Sequence, residues 1–228
     1  MPSVSGLVLQ TQDNCPPGLL AGWATARGLA LDIIRVDRWA ELPDPSGYDC
    51  AIALGSYASL AGTPAGWVAR ELEWIRCADA VGLPVLGICF GAQALAVALG
   101  GSVTRLASPE HGWIELNTSD PELIPAGPWL ALHEDKISPP PLAYELARNG
   151  SGSQAFAIGR HIGVQFHPEV TQGLLSRWIA DRRGGLARVG GELIATARER
   201  GQAAALAALS LFDAFADRAG IELTPVHA

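Results

Sequence analysis

One segment constrains the fold more than any other part of the chain: residues 83–101, LPVLGICFGAQALAVALGG. Its apolar first part ends at Cys89, and small helix-forming residues follow without an intervening loop. Gly87 and Gly91 stand two residues to either side of Cys89, which is the spacing of a nucleophile elbow. Glycine is expected there because neighbouring Cβ atoms would clash in so sharp a turn. The segment predicts a buried strand that turns directly into a helix, with the Cys89 sulfur at the carboxyl end of a parallel sheet.

Apolar runs alternate with helical stretches through the first half of the chain, which predicts an α/β fold with a mostly parallel open sheet flanked by helices. The second half is richer in short strands and predicts a smaller antiparallel part. The predicted strands are 6–10, 31–36, 49–55 and 83–89, then SVTRL, GWIEL, PWLAL, YELAR, QAFAIG and IGVQF. The predicted helices are 15–28, 66–81, 91–101, 170–183 and 192–220.

The domain organisation follows from a glycine-rich stretch near the end of the chain. Residues 184–191 contain four glycines and predict a hinge between a main domain, 1–183, and a C-terminal helical extension, 184–228. The extension carries an apolar side and a predicted break near Gly201. It is expected to pack on the main domain, and packing on a partner protein, including a second copy in a homodimer, stays open.

Charge and composition exclude several classes of function. The net charge is -7, and the 16 Lys and Arg residues do not cluster, which excludes a nucleic-acid-binding footprint. No apolar run is long enough to span a membrane, and no signal peptide is evident, so a cytoplasmic location with free thiols is expected. Neither a metal-ligand spacing nor a phosphate-binding or dinucleotide-binding motif occurs, so no metal and no cofactor are expected.

The elbow suggests a chemical role for Cys89. A sulfur at a helix N-terminus is favoured as the thiolate, and the N–H of Phe90 would point at an oxyanion. The alternative is that Cys89 is a small buried apolar residue, the commonest role of a free cysteine. The local pattern favours a nucleophile, but it names no substrate.

A second motif supplies a candidate base. His167 follows the predicted strand IGVQF, and Pro168 and Glu169 come next. A histidine at a strand end lies at the carboxyl edge of the sheet, and Glu169 can fold back to orient its ring, as the third member of a triad does. Taken alone, the same three residues are more typical of a surface loop that carries a solvated carboxylate.

Together the two motifs, GICFGAQ (87–93) and VQFHPEV (164–170), resemble those of the class I glutamine amidotransferases. The likeness extends from about residue 31 to residue 178 and is greatest to the stand-alone members related to the glutaminase domain of GMP synthase. It implies a flavodoxin-like class I amidotransferase fold. It also implies cleavage of the glutamine side-chain amide through a γ-glutamyl thioester.

The resemblance assigns roles to residues of both motifs. Cys89 would attack the carboxamide, His167 would protonate the leaving ammonia and later activate water, and Glu169 would orient His167. The N–H of Phe90 would be one oxyanion donor, and Gln93 would help to seat the glutamine.

Two further regions are assigned by the same resemblance. The second oxyanion donor would come from the loop after the third strand, LGSYAS (54–59), which places it at Gly55 or Ser56. Ser56 departs from the Gly-Pro common in the family, although a backbone N–H can still donate. His133, in the predicted loop LHEDK (132–136), would line the glutamine pocket, and a surface turn is the alternative. Glu110, His111 and Trp113 are predicted in another loop, without a role.

Three functions remain open from the sequence. The first is a glutamine amidotransferase or glutaminase. Because the residues after Trp178 are too few for a second catalytic domain, either a separate synthetase would accept its ammonia or it would be a plain hydrolase. The second is a γ-glutamyl peptidase that uses the same triad. The third is a non-catalytic binding or regulatory protein, against which the intact Cys–His–Glu set argues.

Overall fold

The computed structural model describes residues 4–62, 66–181 and 186–224, and its strands within those ranges form one mixed sheet. The strands are β1 (Ser5–Gln10), β2 (Ala30–Arg35), β3 (Cys50–Ala53), β4 (Val85–Ile88), β5 (Ser102–Ile114), β6 (Asn117–Thr118), β7 (Trp129–Ser138), β8 (Tyr144–Asn149), β9 (Gly152–Ile158) and β10 (His161–Val164). The helices are α1 (Leu19–Ala26), α2 (Gly66–Ala80), α3 (Phe90–Ala98), α4 (Gln172–Ala180) and α5 (Leu186–Ala219), with one 3₁₀ turn at Pro45–Gly47.

The sheet order is β2-β1-β3-β4-β10-β9-β7-β5. The first five strands in this order are parallel, and β10, β9, β7 and β5 are joined by antiparallel pairs. The short β6 pairs with β8, which pairs with β9. This architecture confirms the predicted class, a mostly parallel open sheet with a smaller antiparallel part.

Helices cover both faces of the parallel half. Along β1, Val8 faces the apolar cluster formed with α1 and α5, whereas Leu7 and Leu9 face the cluster formed with α2 and α3. Strands β3, β4 and β10 are buried throughout, as expected for central parallel strands. None of the helices in the described ranges combines the length and apolarity needed to cross a membrane.

The pairing of β4 with β10 positions the two predicted motifs. Ile88 is the register partner of Val164, and the strands run in the same direction. The residues that follow them, Cys89 and His167, therefore leave the sheet at the same carboxyl edge. Open α/β sheets bind their ligands at this edge.

Several predicted boundaries were wrong, each for a local reason. Helix α1 begins at Leu19, not at residue 15, because two prolines and the positive φ of Gly18 precede it. SVTRL and GWIEL belong to one strand, β5, whose register shifts between Arg105 and Glu110. Pro109, which cannot donate to the ladder, lies within that irregular stretch.

His161 is the buried first residue of β10. Its Nδ1 accepts a hydrogen bond of 3.1 Å from Val85 N–H, at the start of β4. Its Nε2 lies 3.0 Å from Asp79 Oδ1. The His161 ring thus links the starts of β4 and β10, the two strands that lead to the candidate site.

The predicted C-terminal extension is largely a single helix. Helix α5 continues through Gly201 without a break. The turns that follow are held by the buried side chains of Ala204, Ala208 and Leu211. Of the predicted hinge, Gly184 and Gly185 lie outside the described residues. Gly190 and Gly191 are helical. The helix packs against α1, where the rings of Trp23 and Phe212 are 5.5 Å apart.

Candidate active site

Cys89 occupies the turn between β4 and α3 with a strained backbone, φ 52° and ψ -110°. A residue with a side chain pays about 1–3 kcal/mol for such a conformation and keeps it only where its surroundings enforce it. Here the Cys89 N–H donates to Val164 O at 2.8 Å, which anchors the turn to β10. This is the geometry that the elbow motif predicts.

Neither glycine of the elbow can be replaced by a residue with a side chain without movement of the backbone. A Cβ on Gly91 would lie 2.0 Å from the carbonyl oxygen of Ala53 in β3. A Cβ on Gly87 would lie 2.6 Å from Gly91 O and 2.7 Å from the backbone of Ala92. The expectation that the glycines provide space is confirmed.

His167 and Glu169 form a buried pair. The Nδ1 of His167 lies 2.8 Å from Glu169 Oε1, and both side chains are almost fully buried. The backbone N–H of His167 donates to Leu130 O at 2.8 Å, which fixes the residue against β7. The indole of Trp178 meets the imidazole edge-on, with 5.0 Å between ring centroids. The imidazole is therefore held by a carboxylate and an aromatic ring together.

Gly55 shows how close Cys89 and His167 come. A Cβ on Gly55 would lie 3.2 Å from His167 Cε1 and 3.6 Å from Cys89 Cβ. The two side chains therefore approach the same point beside Gly55, and all three residues line the same pocket. The structure thus brings Cys89, His167 and Glu169 together, with Gly55 beside them.

The charges around His167 favour its protonated form. Burial alone would lower its pKa, but the negative charges of Glu169 and Cys89 outweigh burial and raise the pKa of His167 well above its ordinary value. A protonated imidazole beside a cysteine can donate a proton to a leaving amine.

The predicted oxyanion donors lie on the pocket wall. Phe90 is the first residue of α3, so its N–H has no acceptor within the helix. Gly55 and Ser56 line the pocket from the loop after β3. The Ser56 hydroxyl accepts the N–H of Ala58 at 3.1 Å, so this side chain stabilises the loop and leaves the backbone N–H as the candidate donor.

Gln93 lies on the first turns of α3 with its side chain nearly fully buried and lining the pocket. Its Nε2 donates to Gln165 Oε1 at 3.2 Å. This bond uses one of the two amide hydrogens of Gln93 and fixes the side chain, which leaves its carbonyl oxygen and its second N–H to meet a ligand. Gln165, which was not singled out from the sequence, fixes that orientation.

His133 is not in a loop, since LHEDK belongs to β7. The surface-turn alternative was therefore wrong: His133 is buried and lines the pocket. Its Nδ1 lies 2.8 Å from Asp135 O and its Nε2 lies 2.8 Å from Glu110 Oε2. Since both ring nitrogens already have partners, His133 shapes the pocket wall, and direct contact with a substrate stays a prediction.

Glu110, His111 and Trp113 lie in β5: the predicted loop was wrong for Glu110 and His111, whereas Trp113 belongs to the predicted strand GWIEL. The carboxylate of Glu110 receives hydrogen bonds from Asn149, Ser151 and Gln154 as well as its contact with His133. Burial raises the pKa of Glu110, but the hydrogen bonds from His133, Ser151 and Asn149 and the charge of His133 more than offset burial, so the pKa of Glu110 is lowered. The ionised Glu110 therefore holds these four side chains in place at the pocket wall.

The pocket wall also contains charged residues to which the sequence assigned no role: Arg105, Glu134 and Asp135. Asp135 accepts from Ser59 Oγ at 2.6 Å and from Arg105 Nη1 at 3.2 Å. Arg105 also pairs with Glu134. These residues come from β5, β7 and the loop after β3, and no motif links them in the sequence. Only the pairing of β5 with β7 brings them together.

Cys15 is a second buried thiol on the pocket wall. Burial raises its pKa to about 12, and the charges of Glu169 and Cys89 act in the same direction. Cys15 is therefore a protonated thiol at neutral pH and a poor nucleophile.

The pocket that these residues enclose has a volume of about 290 Å³. Every predicted site residue lines it: Cys89, His167, Glu169, Phe90, Gly55, Ser56, Gln93 and His133. In the part of the chain that the structure describes, no group of three His, Cys, Asp or Glu side chains is arranged to hold a metal ion.

Comparison with solved structures identifies the fold. A glutamine amidotransferase from Thermotoga maritima superimposes with a TM-score of 0.84, covering 94% of this chain and 99% of that one at 24% identity. A glutamine amidotransferase from Methylobacillus flagellatus also gives 0.84, covering 100% and 98% at 22% identity.

Sequence comparison identifies the family. The chain is 33% identical to the GMP synthase [glutamine-hydrolyzing] of Aeropyrum pernix over 180 residues, 72% of this chain and 35% of that protein. It is 37% identical to one of the subunits of the GMP synthase [glutamine-hydrolyzing] of Sulfurisphaera tokodaii over 97 residues, 38% of this chain and 51% of that protein. The chain thus spans about half or less of the length of these curated relatives.

The fold comparison and the sequence comparison both point to the glutamine amidotransferases. The model of the family "Glutamine amidotransferase class-I" matches residues 58–182, more than half of the sequence, and the chain belongs to this family.

Proposed function

We propose that this chain hydrolyses the side-chain amide of glutamine through a γ-glutamyl thioester on Cys89. The observation that carries the proposal is the buried His167–Glu169 pair, 2.8 Å apart, beside a strained cysteine in one pocket. A structural cysteine has no need of a positive φ, a facing imidazole and a carboxylate behind that imidazole.

The geometry supports a two-step mechanism. In the first step Cys89 Sγ bonds to the amide carbon while the carbonyl electrons move to oxygen, which the N–H groups of Phe90 and Ser56 stabilise. The tetrahedral intermediate then collapses, and the C–N bond breaks as protonated His167 gives its proton to the leaving nitrogen.

The second step releases glutamate. Water attacks the thioester carbon as His167 accepts a proton from it, and the C–S bond then breaks to regenerate Cys89. Glu169 keeps Nδ1 of His167 hydrogen-bonded throughout, so that Nε2 carries out both proton transfers.

The ammonia acceptor is proposed to be a separate synthetase. The relative from Sulfurisphaera tokodaii is named as one subunit of a GMP synthase, and the Aeropyrum pernix relative is a GMP synthase about three times as long as the matched segment. A cytoplasmic location is proposed with it, because all four cysteines are free, as a reducing compartment allows.

The test is covalent labelling together with product release. A glutamine-analogue diazoketone, 6-diazo-5-oxo-L-norleucine, is expected to label Cys89 by mass spectrometry, and glutamine is expected to yield equal glutamate and ammonia. Cys89→Ala should lose both signals. Cys77→Ala, which removes the exposed free thiol of α2, should keep both.

A substrate panel separates the alternatives. Turnover of γ-glutamyl dipeptides without turnover of glutamine would make the chain a γ-glutamyl peptidase instead. A folded wild-type protein that neither turns over any of these compounds nor is labelled at Cys89 would contradict enzymatic function altogether and favour a regulatory role.

A further inference from the structure

The loop after β3, residues 54–62, is fixed by a hydrogen bond from outside the pocket. Thr11 follows β1 and is completely buried, and its Oγ1 donates to Gly55 O at 2.6 Å. Thr11 is not on the pocket wall, whereas Gly55 and Ser56 are. The Gly55 carbonyl is therefore drawn away from the pocket and towards the sheet.

The direction of this carbonyl sets the direction of the next N–H. A trans peptide is planar, so the Gly55 C=O and the Ser56 N–H point in opposite directions. With the carbonyl bonded to Thr11, the Ser56 N–H is directed away from Thr11, and Ser56 lines the pocket together with Cys89. In the described residues the Ser56 N–H makes no hydrogen bond.

The opposite orientation of this peptide would place an acceptor where a donor is needed. Gly55 has no Cβ and can adopt backbone conformations closed to other residues, so the sequence at this point does not prevent rotation of the Gly55–Ser56 peptide. A rotated peptide would present the carbonyl oxygen to the developing oxyanion and repel it.

The rest of the loop is anchored independently. Ser59 Oγ donates to the buried Asp135 at 2.6 Å and accepts the N–H of Ala61 at 3.1 Å. The far part of the loop therefore stays in place when the contact at Gly55 is removed. Loss of the Thr11 hydroxyl should free the peptide without displacing the loop.

We propose that Thr11 is a positioning residue that fixes the Gly55–Ser56 peptide in its oxyanion-donating orientation. This inference rests on the proposed hydrolysis of glutamine. Thr11 itself touches no reacting atom and acts only through the Gly55 carbonyl.

The first test compares three variants in glutamine turnover. Thr11→Val keeps the shape and removes the hydroxyl, and it is expected to lower kcat about 10²-fold, as loss of one oxyanion donor does, with little change in KM. Thr11→Ser keeps the hydroxyl and should retain most of the rate. Thr25→Val removes a matched threonine-to-carbonyl hydrogen bond, to Ala21 O at an exposed position of α1, and should match the wild type.

The second test needs no turnover. L-Glutamate γ-semialdehyde, in equilibrium with its cyclic imine, forms a thiohemiacetal whose oxygen occupies the oxyanion site, whereas glutamate does not. Protection of Cys89 against iodoacetamide by the semialdehyde should weaken in Thr11→Val by about the factor lost in kcat. Protection by glutamate and the unprotected alkylation rate should not change.

The outcomes separate this inference from the function on which it rests. If the wild type is neither active nor labelled, the proposed function fails. If the wild type is active but Thr11→Val keeps its kcat and its semialdehyde protection, only the role of Thr11 fails. Equal loss in Thr11→Ser and Thr11→Val, accompanied by slower alkylation of Cys89, would make Thr11 a general structural residue and overturn the inference.

Discussion

His167 Nδ1 and Glu169 Oε1 are 2.8 Å apart across a single intervening residue, Pro168, and the pair is buried from solvent. The second carboxylate oxygen of Glu169 is also buried and has no hydrogen-bond partner among the described residues. A carboxylate that depends on one imidazole for its stabilisation interacts strongly with the charge of that imidazole. Glu169 should therefore influence both the catalytic rate and its dependence on pH.

Glu169→Gln is expected to lower kcat for glutamine by between about 10² and 10⁴, with measurable residual turnover. The substitution also removes a charge that raises the pKa of His167. His167 then loses its proton at lower pH, so the basic limb of the kcat/KM profile should shift to lower pH. Steady-state rates between pH 6 and about 10 would measure both effects. A lower rate with an unshifted basic limb would contradict the assigned role.

The His167–Glu169 pair should also make the stability of the protein depend on pH. The pKa of His167 is raised above 6.5 in the folded protein, so the folded state binds the extra proton more tightly than the unfolded chain does. Its contribution to the free energy of unfolding is complete below pH 6.5 and is lost as the pH rises through the folded pKa. The free energy of unfolding, measured with urea, should therefore decline above neutral pH. This decline should be shallower in Glu169→Gln than in the wild type.

Gln165 should affect substrate binding more than turnover. Its side chain is fully buried and accepts the amide hydrogen bond that orients Gln93. Gln165→Leu removes this acceptor, which is worth about 1–2 kcal/mol, and should raise KM for glutamine about tenfold with a smaller change in kcat. Gln202→Leu, at an exposed position of α5, is the matched control. An unchanged KM in Gln165→Leu would show that the orientation of Gln93 does not matter for binding.

The parallel half of the fold could be predicted because its signals are local. The buried strand 83–89 contains Gly87 and is followed by Gly91, and the small-residue helix after Cys89 leaves little choice of connection. The antiparallel half was harder, because β5 contains Pro109 and a register shift that only its partner β7 accommodates. An irregular long strand therefore has the sequence pattern of two short ones.

The residues of the candidate site could likewise be predicted only in part. Cys89 and the His167–Glu169 pair lie in compact motifs at strand ends, where spacing alone indicates a common edge. Arg105 and Asp135 meet across β5 and β7, and their contact depends on cross-strand register. Such register is not encoded in a short window of sequence.

The backbone strain at Cys89 can be measured directly. At the φ of 52° and ψ of -110° that Cys89 adopts, an alanine would be strained as cysteine is, whereas a glycine would not. We expect Cys89→Gly to have a larger free energy of unfolding than Cys89→Ala, by about 1 kcal/mol or more. Ala69→Gly, at an exposed interior position of α2, should instead destabilise by about 0.5–1 kcal/mol. Denaturation of all four proteins gives the comparison, and equal stability of the two Cys89 variants would contradict the strain.

Glu71 lies in the middle of α2 with its side chain completely buried, among the apolar residues between α2 and the sheet. Both carboxylate oxygens lack a hydrogen-bond partner in the described parts of the chain. Burial raises the pKa of Glu71 to about 8, so the carboxyl group is mostly neutral at pH 7. Its ionisation at higher pH places an uncompensated charge in the core.

Glu71 should therefore destabilise the protein as the pH rises. The folded pKa, about 8, lies above the ordinary 4.5, so stability is greatest below pH 4.5 and declines up to pH 8, by several kcal/mol in total. Glu71→Gln cannot ionise and should exceed the wild type in free energy of unfolding at pH 9, with a much smaller difference at pH 5. Glu73→Gln, which removes an exposed carboxylate of the same helix, should not reproduce this pH dependence. Parallel pH curves for the wild type and Glu71→Gln would show that Glu71 is ionised and compensated in the folded protein.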